Sequence, residues 1–297
     1  KDKTITAESV SFILGPRINA SGRLDTAEVA LELLTTDNPE EAVRLAKLVE
    51  GYNRQRQKIE SAIMEEAQDL INKEVNFKQH QVMVVAKEGW HLGVLGIVAS
   101  KLADRFYRPA ILISVKDGLC RGSGRSIESF HLFKGLLECE SLLDNFGGHS
   151  HAIGMVIPQE NIDEFRRRIN DFARQTLSFQ DLIPSINVDM ELNLGDLNQE
   201  FIQDLERLEP FGQGNPEPLF YSRGLWLKGA ARLYSRDTLK FWVTDGKFTY
   251  AAIGFGMGKL FASLVDAQGL DLVYRLKIDS WNGNESLLLE VKEMFLR

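Results

Sequence analysis

The densest run of residues able to do chemistry is Phe146-Gly147-Gly148-His149-Ser150-His151-Ala152. Paired glycines let the backbone approach a ligand closely, and bare amides beside a histidine suit an anionic phosphate. The same letters also spell an ordinary turn in which His149 satisfies a backbone carbonyl, and the run alone does not separate the two readings. His151 is the weaker candidate. Arg121-Gly122-Ser123-Gly124-Arg125-Ser126 offers hydroxyls, amides and two guanidiniums within six residues. The planar fork of arginine suits bidentate phosphate contacts, whereas the plain alternative is a polar hairpin edge with solvated arginines. Trp90-His91-Leu92-Gly93-Val94-Leu95-Gly96 leads into a helix whose open amino terminus is an inherent anion site, although its glycines serve equally for close packing on a sheet. Near the start, Gly15-Pro16-Arg17-Ile18-Asn19-Ala20-Ser21-Gly22-Arg23 sets two arginines among turn residues, a candidate pair of phosphate clamps.

Other chemistry is missing from the sequence. No Asp-x-Asp or Asp-His-His cluster of the kind that binds two metals is present, and the five histidines are scattered, which argues against a complete metal hydrolase. A serine-hydrolase elbow, a Walker loop and a dinucleotide fingerprint are also absent. Cys120 and Cys139 are too few for a disulfide framework and read as reduced structural residues. The net charge of −7 argues against a protein that coats nucleic acid indiscriminately. Charge is nevertheless uneven: residues 223–259 hold seven Lys or Arg against Asp237 and Asp245, a local balance of +5. No apolar run approaches the roughly 18 residues of a membrane span and no leader pattern opens the chain, so a cytoplasmic location is expected. The first residue is Lys1 rather than Met, which suggests that upstream sequence has been removed.

The elements that must position these groups follow from periodicity. Asn38-Pro39-Glu40-Glu41 is a helix start with cap and first-turn proline, and three-and-four spacing of apolar residues continues to about residue 73. At 1.5 Å per residue that helix is roughly 50 Å long, suited to connecting two lobes. An α/β pattern follows, with strands at 81–86, 109–115, 119–125 and 152–157 and helices at 94–106, 129–143 and 161–175. The Arg166-Arg167-Arg168 run on the last helix reads as a solvated face. After a linker at 178–185, short strands at 186–192, 219–228, 238–244, 248–255, 272–280 and 286–293, with one helix at 198–208, predict a small β-barrel. In it, basic residues interleave with Trp226, Tyr234, Phe241, Trp242, Phe248 and Tyr250, and alternation leaves at most about half of these aromatics free to face a ligand.

Taken together and in this order, the Gly15–Arg23, Trp90–Ser100, Gly122–Ser126 and Phe146–His149 segments resemble the RecJ family of single-strand-specific exonucleases in the DHH phosphoesterase superfamily. A fifth segment, Pro210-Phe211-Gly212-Gln213-Gly214-Asn215-Pro216-Glu217-Pro218, resembles the signature that opens the barrel of that family. The resemblance implies an α/β DHH-associated domain with a long connecting helix, followed by an OB-fold β-barrel. The expected division is a first-lobe junction at 1–37, the helix at 38–75, the DHH-associated domain at 76–178 and the OB-fold at 179–297. It further implies 5′→3′ degradation of single-stranded DNA in repair and recombination, by Mn2+ or Mg2+ held on a DHH domain that this sequence lacks. The chain itself is therefore expected to bind and not to cut. By motif, Arg17, Arg23, His91, Ser123, Gly124, Arg125, Gly147, Gly148 and His149 would hold substrate phosphates, with His149 supporting catalysis. Arg232, Arg236, Lys240, Trp242 and Lys247 would contact the strand, and a single-strand-binding protein and a helicase are implied partners. Two other readings stand beside this one, a phosphodiesterase of short oligonucleotides and a non-catalytic strand-binding scaffold.

Overall fold

The protein is described from a computed structural model covering residues 5–116, 118–212, 214–234, 237–281 and 284–297. It divides into two compact units, residues 12–185 and residues 186–297 with the first eleven. The opening is helical: α1 (Ala7–Ser9), α2 (Gly15–Leu24) and α3 (Glu28–Thr35) precede the long α4 (Pro39–Glu74). The Gly15–Arg23 segment is thus a helix and not the turn its glycines suggest. Pro16 sits in the first turn, where its missing N–H costs nothing, and a Cβ built on Gly22 would lie 3.4 Å from Ala27 Cβ. Asn38 caps α4 by accepting from the Glu40 and Glu41 amides. Arg17–Glu50 and Tyr52–Asp25 contacts tie the first half of α4 to α2. Ile63, Ala67 and Ile71 in its second half join the sheet core, so α4 links α2 and α3 to the α/β sheet inside one unit.

That sheet has the order β1-β2-β3-β5-β4, made of β1 (Met83–Glu88), β2 (Ala110–Lys116), β3 (Leu119–Arg125), β4 (Asn145–Gly148) and β5 (Ala152–Pro158). Only β1 and β2 are parallel, joined through α5 (Leu92–Phe106). Period-two alternation gives the sheet two faces. Met83, Val85, Ala110 and Leu112 look toward α4 and α5, while Ile111, Ile113, Cys120, Ile153 and Met155 look toward the other core. That second core is closed by α6 (Leu132–Leu137) and by Phe165, Ile169 and Ala173 of α7 (Ile162–Thr176). The helix expected over 129–143 is shorter than its apolar pattern, ending at Leu137 with a separate 3-10 turn at Glu140–Leu142. Residues 145–148, expected to lie between a helix and a strand, form the edge strand β4.

In the second unit, β7 (Phe220–Leu227), β9 (Thr238–Thr244), β10 (Thr249–Phe255), β11 (Leu270–Trp281) and β12 (Asn284–Leu296) run in the order β7-β11-β12-β10-β9. Trp226↔Thr244 and Leu227↔Val243 pairing then joins β9 back to β7, so five strands return on themselves. Helix α9 (Phe261–Asp266) falls between the third and fourth strands, and β10 and β12 are parallel. Leu239, Phe241, Val243, Leu272, Tyr274, Leu289 and Val291 fill the interior, with α8 (Gln199–Glu206) packing through Phe201 and Leu205. Two short strands flank the ring, β6 (Met190–Glu191) and β8 (Arg232–Tyr234). The strand expected at 186–192 shrinks to β6, since Ile186, Val188 and Met190 stay exposed and only Leu192 reaches the core. Among the described residues no helix is long and apolar enough to cross a membrane.

Candidate phosphate and strand-binding surfaces

Sheet register brings the dispersed motifs of the first unit together. Gly122 and Gly124 of β3 face the core, where a Cβ would lie 2.9 Å from Met155 and from Ile153 respectively. These glycines are bare because large β5 side chains fill their space. Alternation consequently directs Ser123 and Arg125 to the α5 face. Ser123 pairs with Gly154, which pairs with Gly147, and Arg125 pairs with Ala152. The His149 amide donates to Ala152 O at 2.8 Å, which continues the β4–β5 pairing past Gly148. Helix α5 packs over β2 and β3 on that face and α4 over β1, while Gly147, His149 and Gly154 remain exposed.

Close packing against α5 completes the cluster. A Cβ on Gly93 would lie 2.0 Å from Arg23 O, so only glycine lets α2 approach here, and Arg23 Nη1 donates to Gly93 O at 3.2 Å. One turn on, a Cβ on Gly96 would lie 2.8 Å from Arg125 Nη2 and 3.1 Å from Ser123 Oγ. Arg125 Nη1 donates to Gly124 O at 2.7 Å and reaches Ser123 Oγ at 3.5 Å. Burial, and after it the Arg23 cation, holds Arg125 below the ordinary guanidinium range. An arginine nevertheless stays protonated at neutral pH. Among the described residues neither Arg23 nor Arg125 has a carboxylate within the 4.0 Å of an ion pair. Two neighbouring cations next to a hydroxyl, with no carboxylate counter-charge among the described residues, have the chemistry to take an anion such as a phosphate.

Two of the sequence candidates stand apart from this cluster in role. Arg17 is held by Glu50 at 2.7 Å and by Ile13 O at 2.8 Å. His91 is the N-cap of α5, accepting from the Gly93 amide at 3.2 Å, so it occupies the helix terminus that was a candidate anion site. His149 Nδ1 accepts from the His151 amide at 3.3 Å. Gly148 has φ of +138° and a Cβ there would meet Ala152 O at 2.2 Å, so this glycine serves the backbone path. Gly154, with open space in front of it, was absent from the sequence candidates. Its only sequence signal is a glycine alternating with apolar Ile153 and Met155 in a strand, which marks close backbone approach. Burial pushes the Cys139 thiol up to about 12 and raises Cys120 as well, so neither offers a thiolate near neutrality.

The second unit presents a separate surface. The register places Arg232 opposite Lys240, Lys240 opposite Ile253, and Trp226 opposite Thr244, with Trp242 between Lys240 and Thr244 on the same outward face. Trp226 and Trp242 are 50% and 49% exposed. Phe241 is interior and the Tyr250 hydroxyl donates to Leu197 O at 2.6 Å, but Tyr234 and Phe248 are also exposed. Four of the six aromatics are therefore exposed, one more than alternation alone leaves, because Phe248 sits in the turn before β10. Lys247 lies in that turn, its amide donating to Asp245 at 2.9 Å. Arg236 and Gln213 lie outside the described residues.

Comparison with known proteins matches residues 79–175 to the DHHA1 domain and residues 188–293 to the RecJ OB domain. The fold is that of an α/β DHHA1 domain followed by an OB-fold. The relative named single-stranded-DNA-specific exonuclease RecJ in Bacillus subtilis is 36% identical over 289 residues, covering 96% of this chain and 36% of its own length. The protein of that name from Escherichia coli is 31% identical, with coverages of 98% and 52%. The crystal structure of Thermus thermophilus RecJ with Mn2+ superposes with a TM-score of 0.86 at 28% identity, over 99% of this chain and 42% of that one. The chain belongs to the RecJ family. It spans about a third to a half of the length of these curated relatives. Structures of the Thermus protein carry Mn2+ or Mg2+. Among the described residues here, no group of three or more His, Cys, Asp or Glu converges as a metal site. The described residues therefore do not fit such an ion.

Proposed function

We propose that this chain supplies the phosphate- and strand-holding surfaces of a single-stranded-DNA-specific 5′→3′ exonuclease, with bond cleavage by divalent metals belonging to residues outside this sequence. The observation that carries the reading is the Arg23–Arg125 pair beside Ser123, two protonated guanidiniums with no carboxylate counter-charge among the described residues. A terminal phosphate carries more charge than an internal one and gains most from such a pair, which supports a preference for 5′-phosphorylated ends. The outward Trp226, Lys240 and Trp242 surface supports backbone tracking with base stacking, which tolerates any sequence. Single-strand-binding protein, a helicase and a cytoplasmic setting follow from family resemblance. The test is binding of 5′-phosphorylated and 5′-hydroxyl single-stranded oligonucleotides to the chain and to Arg125→Ala. The phosphorylated strand should bind more tightly, and the variant should lose that difference. Equal affinity for both ends in the unmodified chain rejects the assignment. Metal-dependent cleavage by the rigorously purified chain would reject the separation of holding from cutting.

A further inference from the structure

On the α5 face of the sheet, Gly154 and Gly147 lie beside Ser123 with open space in front of them among the described residues. Ser123, Gly154 and Gly147 are register partners on three adjacent strands, β3, β5 and β4. A Cβ built on Gly154 or on Gly147 meets nothing within 4 Å, neither glycine has a positive φ, and both are exposed. This separates them from the other glycines of the site. Gly93, Gly96, Gly122, Gly124 and Gly148 are each bare because another atom of the protein stands where the side chain would be. Packing therefore accounts for those five and not for Gly154, which sits mid-strand, where a missing side chain weakens the strand.

We infer that Gly154 is a specificity-determining residue, whose bare backbone admits the phosphate and adjoining sugar of a nucleic-acid strand held by Arg23, Ser123 and Arg125. The inference rests on the phosphate reading of that cluster. The independent pointer to a ligand is geometric: at one end of the row Arg23 and Arg125 lie against Gly93 and Gly96 of α5 beside Ser123, with no carboxylate ion-pair partner for either among the described residues. Adjacent strands lie about 4.8 Å apart, so the span from Ser123 to Gly147 is roughly 10 Å. That width accommodates one phosphate hydrogen-bonded from both sides, with the backbone as its floor. A β-branched side chain at position 154 would fill this space while fitting the strand itself, since valine favours extended backbone. The residue is thus free to change as far as the fold is concerned, and constrained only when a ligand is present.

The probe is 5′-phosphorylated tetrathymidylate, short enough to report on this unit, titrated into the full chain while the amide resonances of Ser123, Gly147 and Gly148 are followed. Gly154→Val should weaken binding at least tenfold, and Gly154→Ala should weaken it less, with thermal midpoints at or above that of the unmodified chain. Binding by Gly154→Val within twofold of the unmodified chain overturns the inference. If Arg125→Ala abolishes binding in the same series, the phosphate reading stands and only the role of Gly154 falls. If the unmodified chain shows no shift of these amides, or Arg125→Ala leaves them unchanged, the phosphate reading fails and the inference with it.

Discussion

Gly96 and Arg125 interlock: the guanidinium fills the position of the missing side chain, with Nη2 2.8 Å from where a Cβ would be. The glycine of a helix and the arginine of a strand thus define one feature, because α5 can settle over β3 only with this space open. Gly96→Ala should push the far end of a flexible side chain aside without expelling backbone. Affinity for a 5′-phosphorylated strand should fall about tenfold, roughly 1.4 kcal/mol, with a small change in unfolding midpoint. Unchanged affinity would show that Arg125 does not need this seat.

Gly148 differs, since its φ of +138° and the 2.2 Å approach of Ala152 O leave no room for a side chain. Gly148→Ala should cost about 2 kcal/mol or more of stability, from backbone strain and the displaced β4–β5 pairing. Urea unfolding followed by far-ultraviolet circular dichroism measures it. A loss under about 0.5 kcal/mol contradicts the strain argument.

In the barrel unit, Asp271 is buried and accepts from the Gly224 amide at 2.8 Å, from the Tyr221 hydroxyl at 2.9 Å and from Arg297. Burial pushes its carboxyl up, but these bonds outweigh burial and hold it below the usual value of 3.8. A depressed folded value means stability that is present above the unfolded pKa and lost as pH falls through the folded one. Asp271→Asn should therefore cost about 2 kcal/mol near neutrality. The gap between variant and unmodified chain should close as pH falls below about 4. A gap independent of pH would assign the cost to packing instead.

Trp242→Ala should weaken binding of long single-stranded oligonucleotides by about 1–3 kcal/mol with little dependence on base sequence, because stacking uses the face that every base shares. Stability should change little, as the indole is half exposed. Fluorescence-anisotropy titrations with homopolymer strands read this directly, and a loss confined to one base type would point to hydrogen-bonded readout.

The long helix, the α/β alternation and most barrel strands were legible because their signals are local: the Asn38 cap, the apolar period and the turn residues. The helical nature of Gly15–Leu24 was not, since propensity disfavours glycine while tertiary packing against α4 and α5 decides the outcome. The edge strand Asn145–Gly148 was missed for a similar reason, because pairing to β5 is a nonlocal bond that no window of sequence contains.

The same division applies to the candidate phosphate site. Sequence by itself determined which residue types could hold a phosphate, and the order of motifs pointed to the family. It left even the glycines of Arg121–Arg125 and Trp90–Gly96 open between ligand approach and packing. Tertiary structure decided that these glycines serve packing, that His91 caps a helix and that Arg17 pairs with Glu50. Only strand register puts Ser123, Gly154 and Gly147 in one row, since adjacency across a sheet depends on pairing between segments that are distant along the chain.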